Sequence, residues 1–145
     1  CERYATLFWG VFDPVSGTLR YVNAGHAAPM LVRHAAKRIE RLDEGGPVIG
    51  ILPQARYSAG VTEIAPSDTL VLYSDGINEA SNHDDEEFGE DRIQQVVLSA
   101  VAVDPSGLCD QIMTQVTRFS REGAPPDDRT LMVVRFPRPR AALTA

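Results

Sequence analysis

The hydrophobic period of this chain changes once, near Phe88, and this change limits the folds that the chain can adopt. Before Phe88 the apolar residues form short runs of strand length, separated by turn residues. After it they recur at helical spacing in two segments, Ile93–Val101 and Leu108–Phe119. A last strand-like run covers Thr130–Phe136. Strands grouped ahead of helices predict an α+β fold with a largely antiparallel sheet.

Several of the early runs have clear strand character. Tyr4–Val22 predicts a hairpin whose turn lies at Asp13–Gly17, where proline and glycine are favoured. A strand at Met30–Val32 leads into the polar residues 34–44, which predict a hairpin crossing. Thr69–Tyr73 is a continuous apolar run, which is typical of a strand buried on both faces.

The composition fits one globular domain. The chain has 145 residues, of which 43% are hydrophobic and 23% charged, and this length supports a single core. We expect one domain over residues 1–136 and a flexible tail over residues 137–145, which have no apolar periodicity. Because a strand-like run follows almost directly after Cys1, we expect the chain to be part of a longer protein.

Charge and hydropathy exclude several classes of partner. The net charge of −6 argues against a nucleic-acid partner, since such binding depends on clustered basic residues. No apolar run approaches the roughly 18 residues of a membrane span, and no signal peptide is visible. Cys1 and Cys109 predict reduced thiols and no disulfide framework. We therefore expect a cytoplasmic domain with no membrane partner.

Asp75 and Gly76 are the first residues that could carry chemistry. They follow the buried run Thr69–Tyr73, so the carboxylate is expected at a sheet edge, where Gly76 permits a tight turn or the close approach of a ligand. Asp-Gly is also an ordinary turn sequence, and both interpretations stay open.

Asp127 and Asp128 form the second signal, directly ahead of the last strand. Adjacent carboxylates in a loop repel each other unless a cation neutralises them. They could ligate a hard metal ion, or they could belong to a solvated turn.

Other common sites have no support in the sequence. The acidic run 84–87 lacks the alternating ligands and central glycine of an EF-hand and predicts a solvated face. His26, His34 and His83 show no zinc-ligand spacing. No Gly-x-Ser-x-Gly nucleophile elbow and no phosphate-binding Gly-x-x-x-x-Gly-Lys loop is present.

Taken in order, the motifs resemble the sporulation-protein-E (SpoIIE) branch of the protein phosphatase 2C (PPM) superfamily. The resemblance includes an Asn-Ala-Gly-His loop, an Asp-Gly motif and a late Asp-Asp-Arg-Thr motif. The segments that carry it are Thr6–Asp13, Gly17–His26, Gly46–Gly50, Asp68–Ala80, Phe88–Ile93 and Asp127–Leu131.

This resemblance implies a four-layer α-β-β-α sandwich of two antiparallel sheets with helices outside. It also implies a site at one edge, where acidic side chains hold two Mn²⁺ or Mg²⁺ ions. Asp75 and Asp127 match the metal ligands of the family, whereas Gly76 and Asp128 match supporting positions. Hard cations of this kind take oxygen ligands and activate water, which would attack phosphorus directly. Asn23, Gly25 and His26 are expected to shape the backbone.

The sequence departs from the family pattern at its start. The early Asp-x-Ser-Gly-Lys-Gly segment, which supplies the bridging aspartate in the family, does not precede Tyr4. The domain is therefore expected to be N-terminally truncated, with weak metal binding, an open sheet edge and uncovered apolar surface. A second copy of the chain could cover that edge as a homodimer.

Two functions follow from the resemblance. The first is a protein phosphatase that acts on phosphoserine and phosphothreonine, with a phosphorylated anti-anti-sigma-type regulator of a bacterial partner-switching pathway as its substrate. The alternative is a catalytically inactive, phosphatase-like regulatory or protein-binding domain.

Overall fold

The computed structural model describes residues 3–100, 103–120 and 128–136. Within these ranges the chain forms strands and helices in the order that the hydrophobic period predicts. In chain order they are β1 (Leu7–Asp13), β2 (Thr18–Ala24), β3 (Met30–Arg33), a 3₁₀ turn (His34–Ala36), β4 (Arg38–Arg41), β5 (Gly45–Gly46), β6 (Gly60–Glu63), β7 (Thr69–Tyr73), α1 (Asp75–Asn78), α2 (Gly89–Ser99), α3 (Pro105–Phe119) and β8 (Leu131–Arg135).

The first sheet is built on the predicted hairpin. β1 and β2 pair antiparallel, with Leu7 opposite Ala24 and Asp13 opposite Thr18. The turn closes because the Asp13 carboxylate accepts the Val15 N–H at 2.9 Å and Gly17 adopts a φ of +69°. The first half of β2 pairs antiparallel with β6, and its end pairs parallel with β5.

The second sheet contains four antiparallel strands in the order β4-β3-β7-β8. Met30 lies opposite both Arg41 and Val71, and Tyr73 lies opposite Leu131. This register places the ends of β4 and β7, and the starts of β3 and β8, at the same end of the sheet.

Two cores hold the layers together. Between the sheets lie Leu19 and Tyr21 of β2 with Leu31 and Leu70 of the second sheet. On the opposite face of the second sheet, the three helices pack on β3 and β7. The buried residues of this helix-side core include Met30, Val71, Tyr73, Ile77, Ile93, Val97, Leu108, Ile112 and Val116. β7 therefore contributes to both cores, as its unbroken apolar sequence predicts.

The described residues form three layers of the expected α+β sandwich: helices, second sheet, first sheet. The outer face of the first sheet carries Leu7, Trp9, Val11 and Val61, which are 47–59% exposed. Alternate residues Phe8 and Phe12 turn inward, against Tyr21 and Phe136. The uncovered apolar surface expected from the sequence is thus present. None of the described helices has the length and apolar character needed to cross a membrane.

Candidate functional site

Asp75 and the Asn23–His26 loop lie together at the end of the second sheet where β4 and β7 stop and β3 and β8 start. An open cavity of about 510 Å³ lies there. Its lining comes from four separate segments of the chain: residues 23–28, 41–46, 74–79 and Glu90, together with Thr6. Four carboxylates line it, from Asp43, Asp75, Glu79 and Glu90.

Asp75 is exposed and begins the single helical turn α1 directly after β7. Its Oδ1 accepts the Gly76 N–H at 3.0 Å. Gly76 and Ile77 are buried behind it, so the backbone is anchored in the helix-side core while the carboxylate faces the cavity. The sheet-edge position predicted for Asp75 is therefore present, and the turn interpretation of Asp-Gly is refined to a helical turn.

Ser74 connects Asp75 to the late acidic motif. Its N–H donates to the Thr130 carbonyl, its hydroxyl donates to the Asp128 carbonyl, and its Oγ accepts the Thr130 N–H, at 2.9–3.0 Å. These bonds extend the β7–β8 pairing beyond Tyr73 and Leu131. They tie the residue before Asp75 to the residue after Asp127, although Asp127 itself lies outside the described residues.

The Asn-Ala-Gly-His loop forms another wall. Asn23 is 4% exposed, and its side chain accepts the His26 N–H at 2.8 Å and donates to the His26 carbonyl at 2.9 Å. Gly25 has a φ of +70°, and a Cβ there would lie 2.3 Å from Val48. Only glycine fits this position, so the loop is built to hold the His26 backbone in one place.

Three side chains from different elements are linked at the cavity: Tyr73 of β7, Glu90 of α2 and Arg41 of β4. Tyr73 is 1% exposed, and its hydroxyl donates to Glu90 Oε1 at 3.1 Å. The other oxygen of Glu90 is paired with Arg41 Nη1. Burial, followed by the charge of Glu90, raises the pKa of Tyr73 well above its ordinary value, which keeps the hydroxyl protonated as a donor.

The side chains that line this cavity offer the kind of oxygen ligands that a hard divalent cation binds. Besides the Asp75 carboxylate, Asn78 Oδ1 belongs to a cavity-lining residue and is buried without a hydrogen-bond partner in the described structure. Carboxylate and amide oxygens are the ligands that Mg²⁺ and Mn²⁺ take. The number of ligands is too small for a complete metal site. Among residues 3–100, 103–120 and 128–136, no group of three or more His, Cys, Asp or Glu side chains is placed to hold a metal ion.

Comparison with known proteins identifies the family. The family described as Stage II sporulation protein E (SpoIIE) matches residues 1–137. The chain belongs to the SpoIIE family. Protein IcfG of Synechocystis is 34% identical over 96 residues, which are 66% of this chain and 15% of IcfG.

Solved structures with the same fold include phosphatase domains. The SpoIIE phosphatase domain from Bacillus subtilis, presoaked with Mn, matches with a TM-score of 0.73 at 20% identity, over 94% of this chain and 58% of that one. The RsbU and RsbW domains of Rv1364c from Mycobacterium tuberculosis match with a TM-score of 0.74 at 22% identity, over 92% and 38%. This SpoIIE-family chain thus has the fold of a protein phosphatase 2C domain and spans only part of each relative.

Sequence reasoning singled out some of the residues near this cavity and missed others. It identified Asp75 and Gly76 and the 127–128 motif, which precede or follow clear strands. It did not identify Arg41 or Asn78. Glu90 lies in the first turn of α2, where an acidic residue is favoured by the helix dipole alone. The spacing of Glu79, four residues after Asp75, was a signal that could have placed it at the same cavity.

Proposed function

We propose that this SpoIIE-family domain is a metal-dependent protein phosphatase that hydrolyses phosphoserine and phosphothreonine. The observation that supports the proposal is the junction of Ser74 with Asp128 and Thr130, because Ser74 precedes Asp75 and lines the same cavity. A phosphatase of this kind needs carboxylates on separate strands to meet, and the β7–β8 register supports that requirement.

We propose that Asp75 and Asp127 hold two divalent cations, Mn²⁺ or Mg²⁺, with Gly76 and Asp128 in supporting positions. When bound, these ions supply an activated water and neutralise charge on the phosphoryl group. The chain itself supplies the anchoring: α1 fixes the Asp75 backbone, and Ser74 fixes the loop that follows Asp127. Asn78 Oδ1 is buried and has no hydrogen-bond partner among the described residues, which supports a role beside Asp75 as an acceptor for an ordered water.

The substrate that the family resemblance favours is a phosphorylated anti-anti-sigma-type regulator in a bacterial partner-switching pathway. We propose that the domain meets it in the cytoplasm and that a homodimer is its working form. The cavity is open and its lining includes charged and polar side chains, which suits a phosphorylated side chain presented on a protein surface.

Phosphate release from matched peptides tests the proposal. We expect the chain with Mn²⁺ to dephosphorylate phosphoserine and phosphothreonine peptides in preference to phosphotyrosine peptides, and chelation to stop the reaction. Absence of release from every peptide, or release that survives chelation, contradicts it.

One observation favours the alternative of an inactive regulatory domain. The described residues bring together no group of three metal-ligating side chains. In that case the chain would bind phosphopeptides without releasing phosphate, and Mn²⁺ would not change the outcome. The same peptide series therefore separates the two functions.

A further inference from the structure

Arg41 contributes the only guanidinium among the side chains described around the cavity. It ends β4 and lies opposite Met30, which is itself opposite Val71. Directly paired residues share a face of the sheet, and Tyr73 lies two residues beyond Val71 on that same face. The register therefore puts Arg41 on the helix side of the sheet, at the end where β7 runs into Asp75.

Glu90 holds Arg41, and each of its two carboxylate oxygens has a partner. Its Oε1 accepts from the buried Tyr73 hydroxyl, and its Oε2 is paired with Arg41. The Glu90 side chain is 24% exposed, whereas that of Arg41 is 47% exposed. A guanidinium carries five N–H donors, and within the described residues Glu90 takes one of them. Arg41 is thus oriented from one side and has donors left for a ligand.

The negative charge around the cavity indicates which kind of ligand needs these donors. Asp43, Asp75, Glu79 and Glu90 surround a space that a phosphoryl dianion must enter. Like charges at short range oppose that entry unless a cation offsets them. A guanidinium fork matches two phosphate oxygens at once, which an ammonium cannot do.

We propose that Arg41 binds the phosphate group of the phosphoprotein substrate, with Glu90 and Tyr73 as the residues that position it. This assignment rests on the proposed phosphatase function, since it names the group that recognises the substrate of that same cavity. Arg41 then sets the preference for a phosphorylated side chain over an unmodified one.

The test measures binding and not turnover. A fluorescent peptide carrying the non-hydrolysable phosphonate analogue of phosphoserine, and the same peptide with serine, are titrated with the chain in Mn²⁺. We expect Arg41→Ala to weaken binding of the phosphonate peptide by about tenfold or more, as expected for loss of a charge-assisted pair, and to leave the serine peptide unchanged. Arg41→Lys should lie between the two.

Two controls isolate the role of the guanidinium. Arg20→Ala removes an exposed arginine from the outer face of the first sheet and should change nothing. Arg41→Ala combined with Glu90→Gln removes the carboxylate charge that the single variant leaves unpaired, and its binding should stay weak. Recovery in that double variant, wild-type binding by Arg41→Ala, or no phosphonate preference in the wild type would each overturn the assignment.

Failure of the two proposals can be told apart. If phosphate release is absent but binding of the phosphonate peptide depends on Arg41, the phosphatase proposal fails and the Arg41 site stands. If release occurs but Arg41→Ala binds the phosphonate peptide as the wild type does, only the Arg41 assignment fails.

Discussion

Ser74 and Thr130 exchange two hydrogen bonds beyond the ends of β7 and β8. The Ser74 N–H donates to the Thr130 carbonyl, and the Thr130 N–H donates to Ser74 Oγ, each at 2.9 Å. One strand leads into Asp75 and the other follows Asp128 in the sequence, so a single serine joins the residue before Asp75 to Asp128 and Thr130. The geometry of the site therefore depends on a side chain that need not touch the substrate.

Replacing Ser74 tests this junction. Ser74→Ala removes the bonds of the hydroxyl to the Asp128 carbonyl and the Thr130 N–H. We expect a loss of about 0.5–1.5 kcal/mol in the free energy of unfolding, measured by urea denaturation, and weaker Mn²⁺ binding measured by calorimetry. The control is Ser99→Ala, whose hydroxyl donates to the Val96 carbonyl at an exposed helix end. Equal effects of the two variants would show that Ser74 has no special role.

Arg33 joins the two sheets through a network with little exposure to solvent. From β3 it binds Asp68 and Glu40, each at 2.7 Å, and Thr62 of β6 at 2.8 Å. Side-chain exposure is 13% for Arg33 and 3% for Asp68, so removal of the cation leaves a buried carboxylate without its ion-pair partner.

We therefore expect Arg33→Met to lower the free energy of unfolding by about 3–5 kcal/mol. Arg38→Met, at an exposed position of the neighbouring strand, should change it by less than about 0.5 kcal/mol. Chemical denaturation of both variants gives the comparison. A difference of less than about 1 kcal/mol between them would contradict the importance of this network.

Tyr73 makes the stability of the domain sensitive to alkaline pH. Burial and the neighbouring Glu90 raise its pKa in the folded state. The stability that comes from the protonated hydroxyl is therefore complete below the unfolded pKa of about 10 and is lost as the pH rises above it.

Replacing Tyr73 with phenylalanine should reduce this alkaline sensitivity. Tyr73→Phe loses the bond to Glu90 and should be less stable than the wild type by about 1 kcal/mol at neutral pH. The gap should narrow above about pH 10, because only the wild type is then opposed by tyrosinate formation. Unfolding free energies across this range give the answer, and a constant gap would contradict the assigned pKa shift.

Much of the fold could be predicted because its strands and helices are locally consistent. β7 was predicted at Thr69–Tyr73, and this is its observed range, since a strand buried in two cores must be apolar throughout. The hairpin of β1 and β2 follows from the Asp13–Gly17 turn, where the side chain and the glycine both favour reversal. The α+β class with largely antiparallel pairing follows from the order of these elements, whereas the sandwich was expected from the family resemblance.

The rest of the site depends on contacts between distant residues. Arg41 and Glu90 are 49 positions apart, and the segment around Arg41 has too weak a pattern to mark it as functional. Asn78 becomes notable only once α1 buries its oxygen without a partner. Pairing across a sheet and packing of a helix onto it create these relationships, and neither is encoded in local spacing.

The most direct test of the proposed function is hydrolysis of a small aryl phosphate by the chain and by Asp75→Asn, with and without Mn²⁺. Asp110→Asn, on the exposed side of α3, serves as the matched control. We expect hydrolysis that requires Mn²⁺, a loss of at least about a hundredfold in Asp75→Asn with an unchanged free energy of unfolding, and full activity in Asp110→Asn. Hydrolysis that Asp75→Asn retains, or that no amount of Mn²⁺ elicits from the unmodified chain, would contradict the proposal.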